Sequence, residues 1–331
     1  MKNYIVIFFL ISSNVIFSQE NKLQESFEWH GYAQFRTYSN FDDNTGFMLR
    51  RMKLWVKSTP EFSKHWSYKI QTTITSLQQE KFFFQDAKLS YKTGKFSFDF
   101  GQFVPEYSLQ RFQHDYELPI IERATVINYL IPDGTLGVRD IGLQANYTTK
   151  NKVLKTHAGI FNGYGIKEYR FNNQGYMLTN KSEITIPIND KSLNFGYSLQ
   201  YRKAENLKIS KVLADTVLFT GNDFRYDVFA MFKSEKFVLQ AEYLSAYLND
   251  NITNGWYVLS AINIKKSQVV FSYEDYNDLI ETTHNNPFYH IGYNYLFNKN
   301  KIKLFLDNTF QVQNQKIENY IASLQLQLFF N

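Results

Sequence analysis

Between Leu193 and Arg202 the chain reads Leu-Asn-Phe-Gly-Tyr-Ser-Leu-Gln-Tyr-Arg, apolar or aromatic at every odd position and small or polar at every even one. A period of two marks an extended strand whose two faces meet different surroundings. The same pattern recurs in Trp66, Tyr68, Ile70 and Ile74 against Lys69, Gln71, Thr73 and Thr75. Phe224, Tyr226, Val228, Ala230 and Phe232 repeat it against Asp223, Arg225 and Asp227, and Tyr289, Ile291, Tyr293, Tyr295 and Phe297 against His290, Gly292 and Asn294. The first eight predicted strands cover roughly 27–37, 47–58, 65–76, 82–92, 95–102, 138–149, 154–163 and 176–188. Eight more cover 192–203, 223–233, 236–246, 255–265, 267–277, 287–298, 301–313 and 318–330. Most have ten to thirteen residues. Soluble sheets favour ~5–6, whereas a tilted strand needs ~9–11 to cross a bilayer. The pattern predicts an all-β fold, a transmembrane antiparallel β-barrel of about 16 strands.

Composition agrees. Aromatic residues make up 18% of the 331, with 24 Tyr and 31 Phe, and rings with a polar tip suit the boundary between lipid and water. Residues 1–18 read as a signal peptide: Lys2 is the charged start, Tyr4–Leu10 with Ile11 the apolar core, and Ser18 before Gln19 the cleavage point. That apolar run is well short of the ~20 residues of a spanning helix, and no later stretch supplies one. A chain exported this way enters a membrane as a barrel. The expected layout is a signal peptide at 1–18 and an outer-membrane barrel at 19–331. With no cysteine, disulfides and thiolate chemistry are excluded. A net charge of +5 gives no reason to expect a nucleic-acid partner.

Connections between the runs differ in kind. Lys92-Thr-Gly-Lys95, Thr149-Lys-Asn-Lys152, Asn189-Asp-Lys191, Ser234-Glu235, Lys265-Lys-Ser267 and Asn298-Lys-Asn-Lys301 are tight turns, while 103–137, 164–175, 204–222, 247–254 and 278–286 read as long polar loops. Short turns on one rim and longer loops on the other are a barrel arrangement, with the short turns and both termini at the periplasmic end. The stretch 103–137 holds Pro105, Pro119 and Pro132 and no strand periodicity. A connection of that length has a job of its own. In a barrel it is expected to fold inward and narrow the lumen. The last run, 319–330, alternates cleanly and ends Phe329-Phe330-Asn331, close to the aromatic-ended strand that barrels present to the insertion machinery.

No nucleophile elbow, His-Glu-x-x-His, phosphate loop or Cys-based metal spacing occurs. His30, His65, His114, His157, His284 and His290 are scattered without ligand spacing, and Ser67 beside His65 is no more than coincidence predicts. No catalytic residue, cofactor or metal is expected. Charge on the polar parity is more informative. Arg36, Arg51, Lys53, Lys57, Lys69 and Lys88 would face inward from the first four strands against only Glu28 and Asp86, a wall that enriches anions. In the rest of the barrel Arg202, Arg225 and Lys303 meet Asp99, Asp223, Asp227, Glu242, Glu274 and Asp307. Cross-strand pairing of these groups would serve stability more than selection, so both readings stand.

Gly101-Gln102-Phe103-Val104-Pro105, Leu118-Pro119-Ile120-Ile121-Glu122-Arg123 and Arg139-Asp140-Ile141-Gly142-Leu143-Gln144 resemble the phosphate-selective porin O/P family at the same place in its barrel. Gly159-Ile-Phe-Asn-Gly163, Gln240-Ala-Glu-Tyr243 and Gly255-Trp-Tyr257 are similar to its later strands, in the same order. Arg50-Arg51 looks like the paired arginines of its second strand; Arg51 fits the inward parity, and Arg50 fits only at a bulge or the rim. The resemblance implies a sixteen-stranded, trimeric porin with an inwardly folded third loop, and the expected function is a passive diffusion channel for small anions, phosphate or another. Within that loop Arg111 is expected to contact solute, and Glu122, Arg123 and Asp140 to anchor the loop. Expected partners are outer-membrane lipid, small anionic solutes, further copies of the chain and the insertion machinery. A general or other-solute porin, a barrel-embedded enzyme and a soluble all-β binding protein are the alternatives, the last disfavoured by the apolar faces it would leave in water.

Overall fold

The computed structural model describes residues 26–76, 80–131, 138–166, 176–280, 287–313 and 316–330, so the expected signal peptide lies outside them. Sixteen strands follow one another: β1 (Ser26–Ser39), β2 (Thr45–Thr59), β3 (Trp66–Ser76), β4 (Glu80–Thr93), β5 (Phe96–Phe103), β6 (Asp140–Thr148), β7 (Leu154–Phe161) and β8 (Met177–Ile188). Then come β9 (Lys191–Leu207), β10 (Phe219–Lys233), β11 (Phe237–Leu248), β12 (Asn251–Ile264), β13 (Ser267–Tyr276), β14 (Phe288–Asn300), β15 (Ile302–Gln313) and β16 (Lys316–Phe330). Each pairs antiparallel with its neighbours in sequence, and β16 returns to pair β1, closing the barrel. Closure leaves no edge, which a spanning sheet in hydrocarbon requires.

The alternation has its expected consequence. In β9 Phe195, Tyr197, Leu199 and Tyr201 are 38–42% exposed, while Asn194, Ser198, Gln200 and Arg202 are at most 6% exposed. The apolar parity is the outer face, and the polar parity is covered. All sixteen expected strands are present, with two differences at the long-loop rim. β9 and β10 run on to Leu207 and from Phe219, shortening the expected 204–222 loop. The expected 247–254 loop is only the turn Asn249-Asp250, with Asn249 left-handed at φ 54 as a two-residue hairpin needs. Periodicity fades there because Leu244, Ala246 and Leu248 are buried on the inner face too. With both faces apolar, a strand loses its alternation.

Their partner is the stretch after β5, which holds one short helix, α1 (Thr125–Leu130), that the sequence did not announce. Val126, Ile127 and Leu130 join Ile120 and Ile131 in one apolar cluster with Leu244, Tyr257, Leu259 and Val270, and α1 rests on β11, β12 and β13. Gly101 sits where the stretch leaves the sheet, at φ +110, and a Cβ there would lie 2.2 Å from the Ala87 carbonyl oxygen. Gly101→Ala is therefore expected to cost roughly 1–3 kcal/mol, read as a smaller heat-resistant, fast-migrating fraction on refolding into detergent.

Candidate functional site

Residues 104–131 touch the inner-face side chains of strands on opposite sides of the barrel. At β1 and β2 the contact is ionic. Glu122 pairs with Arg36 at 2.8 Å, with Arg51 at 3.2 Å and with Arg50. Asp115 pairs with Arg51 at 2.7 Å and with Lys53 and Arg123, and accepts from the Tyr32 hydroxyl at 3.0 Å. Arg50 reaches this cluster because the β1–β2 register shifts: Gln34 faces Arg51 but Phe35 faces Leu49, so Arg50 is the extra residue of a β-bulge. One bulge thereby turns two adjacent arginines toward one carboxylate.

A second bulge does the same in β4. Gln71 faces Asp86 and Thr72 faces Phe84, leaving Gln85 extra, and Gln85 and Asp86 are both buried. Asp86 takes Lys69 at 2.6 Å and Arg139 at 2.9 Å. Lys88 pairs with Asp99 at 3.3 Å. Lys57 is exposed and makes no ion pair among the described residues.

On the far wall the stretch is held by hydrogen bonds. Glu242 accepts from the backbone N–H of Leu109 (2.9 Å) and Gln110 (2.6 Å) and from the hydroxyls of Ser108 (2.7 Å) and Tyr257 (2.6 Å). Ser108 is left-handed at φ 73, which aims the following N–H groups at one anion as a backbone nest does. Glu274 accepts from the N–H of Val126. Lys303 donates to the Leu118 carbonyl and Asn294 to that of Pro119. Arg202 and Arg225, each 1% exposed, both pair with Asp223, and they donate to the carbonyls of Gly163 and Leu130. Asp140 accepts from its neighbour Ile141 N–H and from Gly163 N–H, 2.7 Å each.

Rings lie beside the ionic cluster on β1, β2 and β16. Trp55 stacks on Tyr116 at 6.3 Å and on His30 at 5.5 Å, and Tyr116 stacks on His114 at 5.1 Å. Phe329 meets Tyr116 edge-on at 4.9 Å.

Arg111 differs from the arginines and lysines that pair with Asp115 and Glu122. Its side chain is part-buried and makes no ion pair among the described residues. Burial, followed by the nearby positive charges of Arg123 and Arg139, holds its pKa well below the ordinary guanidinium value. Asp115 is the converse: burial pushes its carboxyl up, but Arg123, Arg51 and Lys53 prevail and hold it well below the usual carboxylate range. Of the residues singled out from sequence, Arg36, Arg51, Lys53, Arg111, Glu122 and Arg123 thus gather around one end of the stretch. Lys57, Lys69 and Lys88 stand apart on neighbouring strands, and Arg202 and Arg225 lie in a separate buried network. The sequence reading missed Asp115, Glu242 and Glu274 as acceptors for the stretch, and only their inward parity could have pointed to the last two.

The barrel has known counterparts. Salmonella typhi OmpF, solved in complex with daunomycin, superposes with a TM-score of 0.67 at 13% identity over 92% of this chain and 97% of that one. Pseudomonas putida OprB in its high-pH structure gives 0.65 at 11% identity over 92% and 94%. The trimer form of in-vitro folded OmpT, an outer membrane protein of Vibrio cholerae, gives 0.62 at 12% over 92% and 99%. At such identities these likenesses establish the fold alone. No curated protein sequence matches. The family model for phosphate-selective porin O and P matches residues 26–319. A closed barrel of sixteen strands with a lipid-suited outer face, matched over nearly its whole length by that model, belongs to the phosphate-selective porin O and P family and is an outer-membrane porin.

Proposed function

We propose that the channel passes small anions by passive diffusion, phosphate among them, and that residues 104–131 lie across the lumen and narrow it. What carries this reading is the unequal covering of charge. Of the acids that balanced the wall in the sequence, Asp223, Asp227, Glu242, Glu274 and Asp307 are 0–3% exposed and Asp99 is 8% exposed. Those on β10, β11 and β13 lie on the strands that carry the apolar cluster and α1. They are withdrawn from any water path. At the other end Arg36, Arg50, Arg51, Lys53 and Arg123 meet, among the described residues, only the carboxylates Asp115 and Glu122, with Arg111 beside them and Lys57 exposed further along β2. An excess of fixed cations beside a constriction raises the local anion concentration.

Arg111, Arg36, Arg51, Lys53, Lys57, Lys69 and Lys88 are the residues assigned to solute, Arg111 first because it lies in the stretch itself and makes no ion pair among the described residues. Glu122, Arg123 and Asp140 are assigned to holding the stretch, with Arg202 and Arg225 beside them. No chemical step or cofactor enters the mechanism. A homotrimer and removal of the export signal near Ser18 complete the proposal; the Vibrio cholerae neighbour in trimer form supports the first.

In planar bilayers the protein is expected to give ohmic channels with a reversal potential of anionic sign in a potassium chloride gradient. Arg111→Glu is expected to lower the chloride-to-potassium permeability ratio by roughly two- to tenfold. Cation preference in the unmodified protein, or an unmoved reversal potential in the variant, would reject the anion path.

A further inference from the structure

The seven connections that follow β2, β4, β6, β8, β10, β12 and β14 are short and share one rim of the barrel. Every one contains or adjoins a lysine that is exposed: Lys64, Lys95, Lys150, Lys191, Lys236, Lys266 and Lys301 take them in turn, and five more lysines flank these. None of the twelve makes an ion pair among the described residues. In the connections of that rim, among the described residues, only Glu61, Asp190 and Glu235 oppose them, with Glu28 near the start of β1. The other rim has no such excess: in its described connections, residues 104–131 apart, Asp42, Asp43, Asp215, Asp250 and Asp278 outnumber Lys208 and Lys211. The lysine positions also have a defined depth. Phe96, Ile188, Phe237, Ile264 and Ile302 are the terminal apolar residues of their strands, each one to three residues from a rim lysine, and Phe96, Ile188, Ile264 and Ile302 are 37–56% exposed on the barrel surface. The ammonium groups therefore lie just beyond the hydrocarbon boundary, within reach of headgroups, where long lysine stems extend readily.

We propose that this rim is a collar for anionic phospholipid headgroups, the phosphodiesters of the leaflet in which the short turns sit. The distribution selects the partner. A protein would engage one sector of the rim, and a solute would be met by charge around the bore. Lysines in or beside all seven turns, spread along the rim at headgroup depth, match the one partner that meets the barrel wherever no other copy covers it. Basic residues next to an anionic leaflet attract it additively, and the attraction falls off within a Debye length.

The test reconstitutes the full chain in phosphatidylcholine bilayers containing trace spin-labelled phosphatidylglycerol or spin-labelled phosphatidylcholine. The motionally restricted fraction at the protein surface is then compared. At 50 mM salt phosphatidylglycerol is expected to be enriched about threefold or more over phosphatidylcholine, falling towards parity at 1 M salt. Replacing Lys95, Lys150, Lys191, Lys236, Lys266 and Lys301 by Gln removes half of the rim lysines and should lower the enrichment from about threefold to below about twofold, and Lys208→Gln with Lys211→Gln on the opposite rim should leave it intact. All six replaced lysines are exposed, and the heat-resistant band confirms folding of each variant. Equal occupancy by the two lipids in the unmodified protein would overturn the collar, as would an enrichment unchanged by the six substitutions. Neither outcome touches the anion reading, because reversal potentials report that separately.

Discussion

Asp115→Asn is expected to loosen the stretch from β1 and β2 and, at the same time, to strengthen anion preference. Asp115 is 9% exposed and is the common counter-ion of Arg51, Lys53 and Arg123. Asn keeps the shape and removes the charge. Glu122 still compensates Arg51, but Lys53 and Arg123 lose their only carboxylate partner among the described residues. Leaving a part-buried cation uncompensated costs about 3–5 kcal/mol, a sizeable part of what can hold a loop. The expected readouts are faster proteolysis within 104–131 of the folded barrel and a more anionic reversal potential. Protease resistance and reversal potential both equal to the unmodified protein would show that Asp115 does not hold this cluster.

Acid should not mimic the substitution until the pH is far below the ordinary carboxylate range. The cluster holds the pKa of Asp115 below its free value of ~3.9. A depressed folded pKa contributes stability that is complete above the free value and is lost only as pH falls through the lower one. The difference in reversal potential between the unmodified channel and Asp115→Asn should therefore hold between pH 8 and 4.

The barrel was legible because one interaction, lipid outside and water or polar neighbours within, acts on every strand and writes the same period of two. Strand ends blurred where that rule failed. In β11 the inner face meets α1 instead of water, so Leu244 and Leu248 broke the alternation, and a two-residue turn at Asn249 read as a loop. The cations of β1 and β2 followed from parity, and Arg50 was open to a bulge or the rim until the β1–β2 register showed the bulge. Their partner Asp115 was hidden. It lies in a stretch with no period, 62 residues beyond Lys53, and pairing across such a distance is set by how the stretch folds back, which no local pattern records. The acids of the second half were visible, but not that they receive the backbone of that stretch.

Glu242→Ala tests the other anchorage and should have the larger effect on conductance. Glu242 is 2% exposed and serves four donors: two backbone N–H groups, the Ser108 hydroxyl and the Tyr257 hydroxyl. Each buried donor left without an acceptor costs about 1–3 kcal/mol, with backbone groups unable to turn elsewhere. The left-handed turn at Ser108 is tolerated because its N–H groups converge on this carboxylate. Without that acceptor, Ser108 has every reason to relax to an ordinary conformation and carry Leu109 and Gln110 away from β11. The expected outcome is a larger, noisier single-channel conductance. Glu242→Gln should be milder, since its carbonyl oxygen still accepts while its amide opposes the remaining donors. Ser108→Gly, which removes the strain and one of the four donors, should stay close to the parent. Single channels of Glu242→Ala that match the parent in size and noise would mean that the stretch does not depend on this carboxylate, and the proposed constriction would need another support.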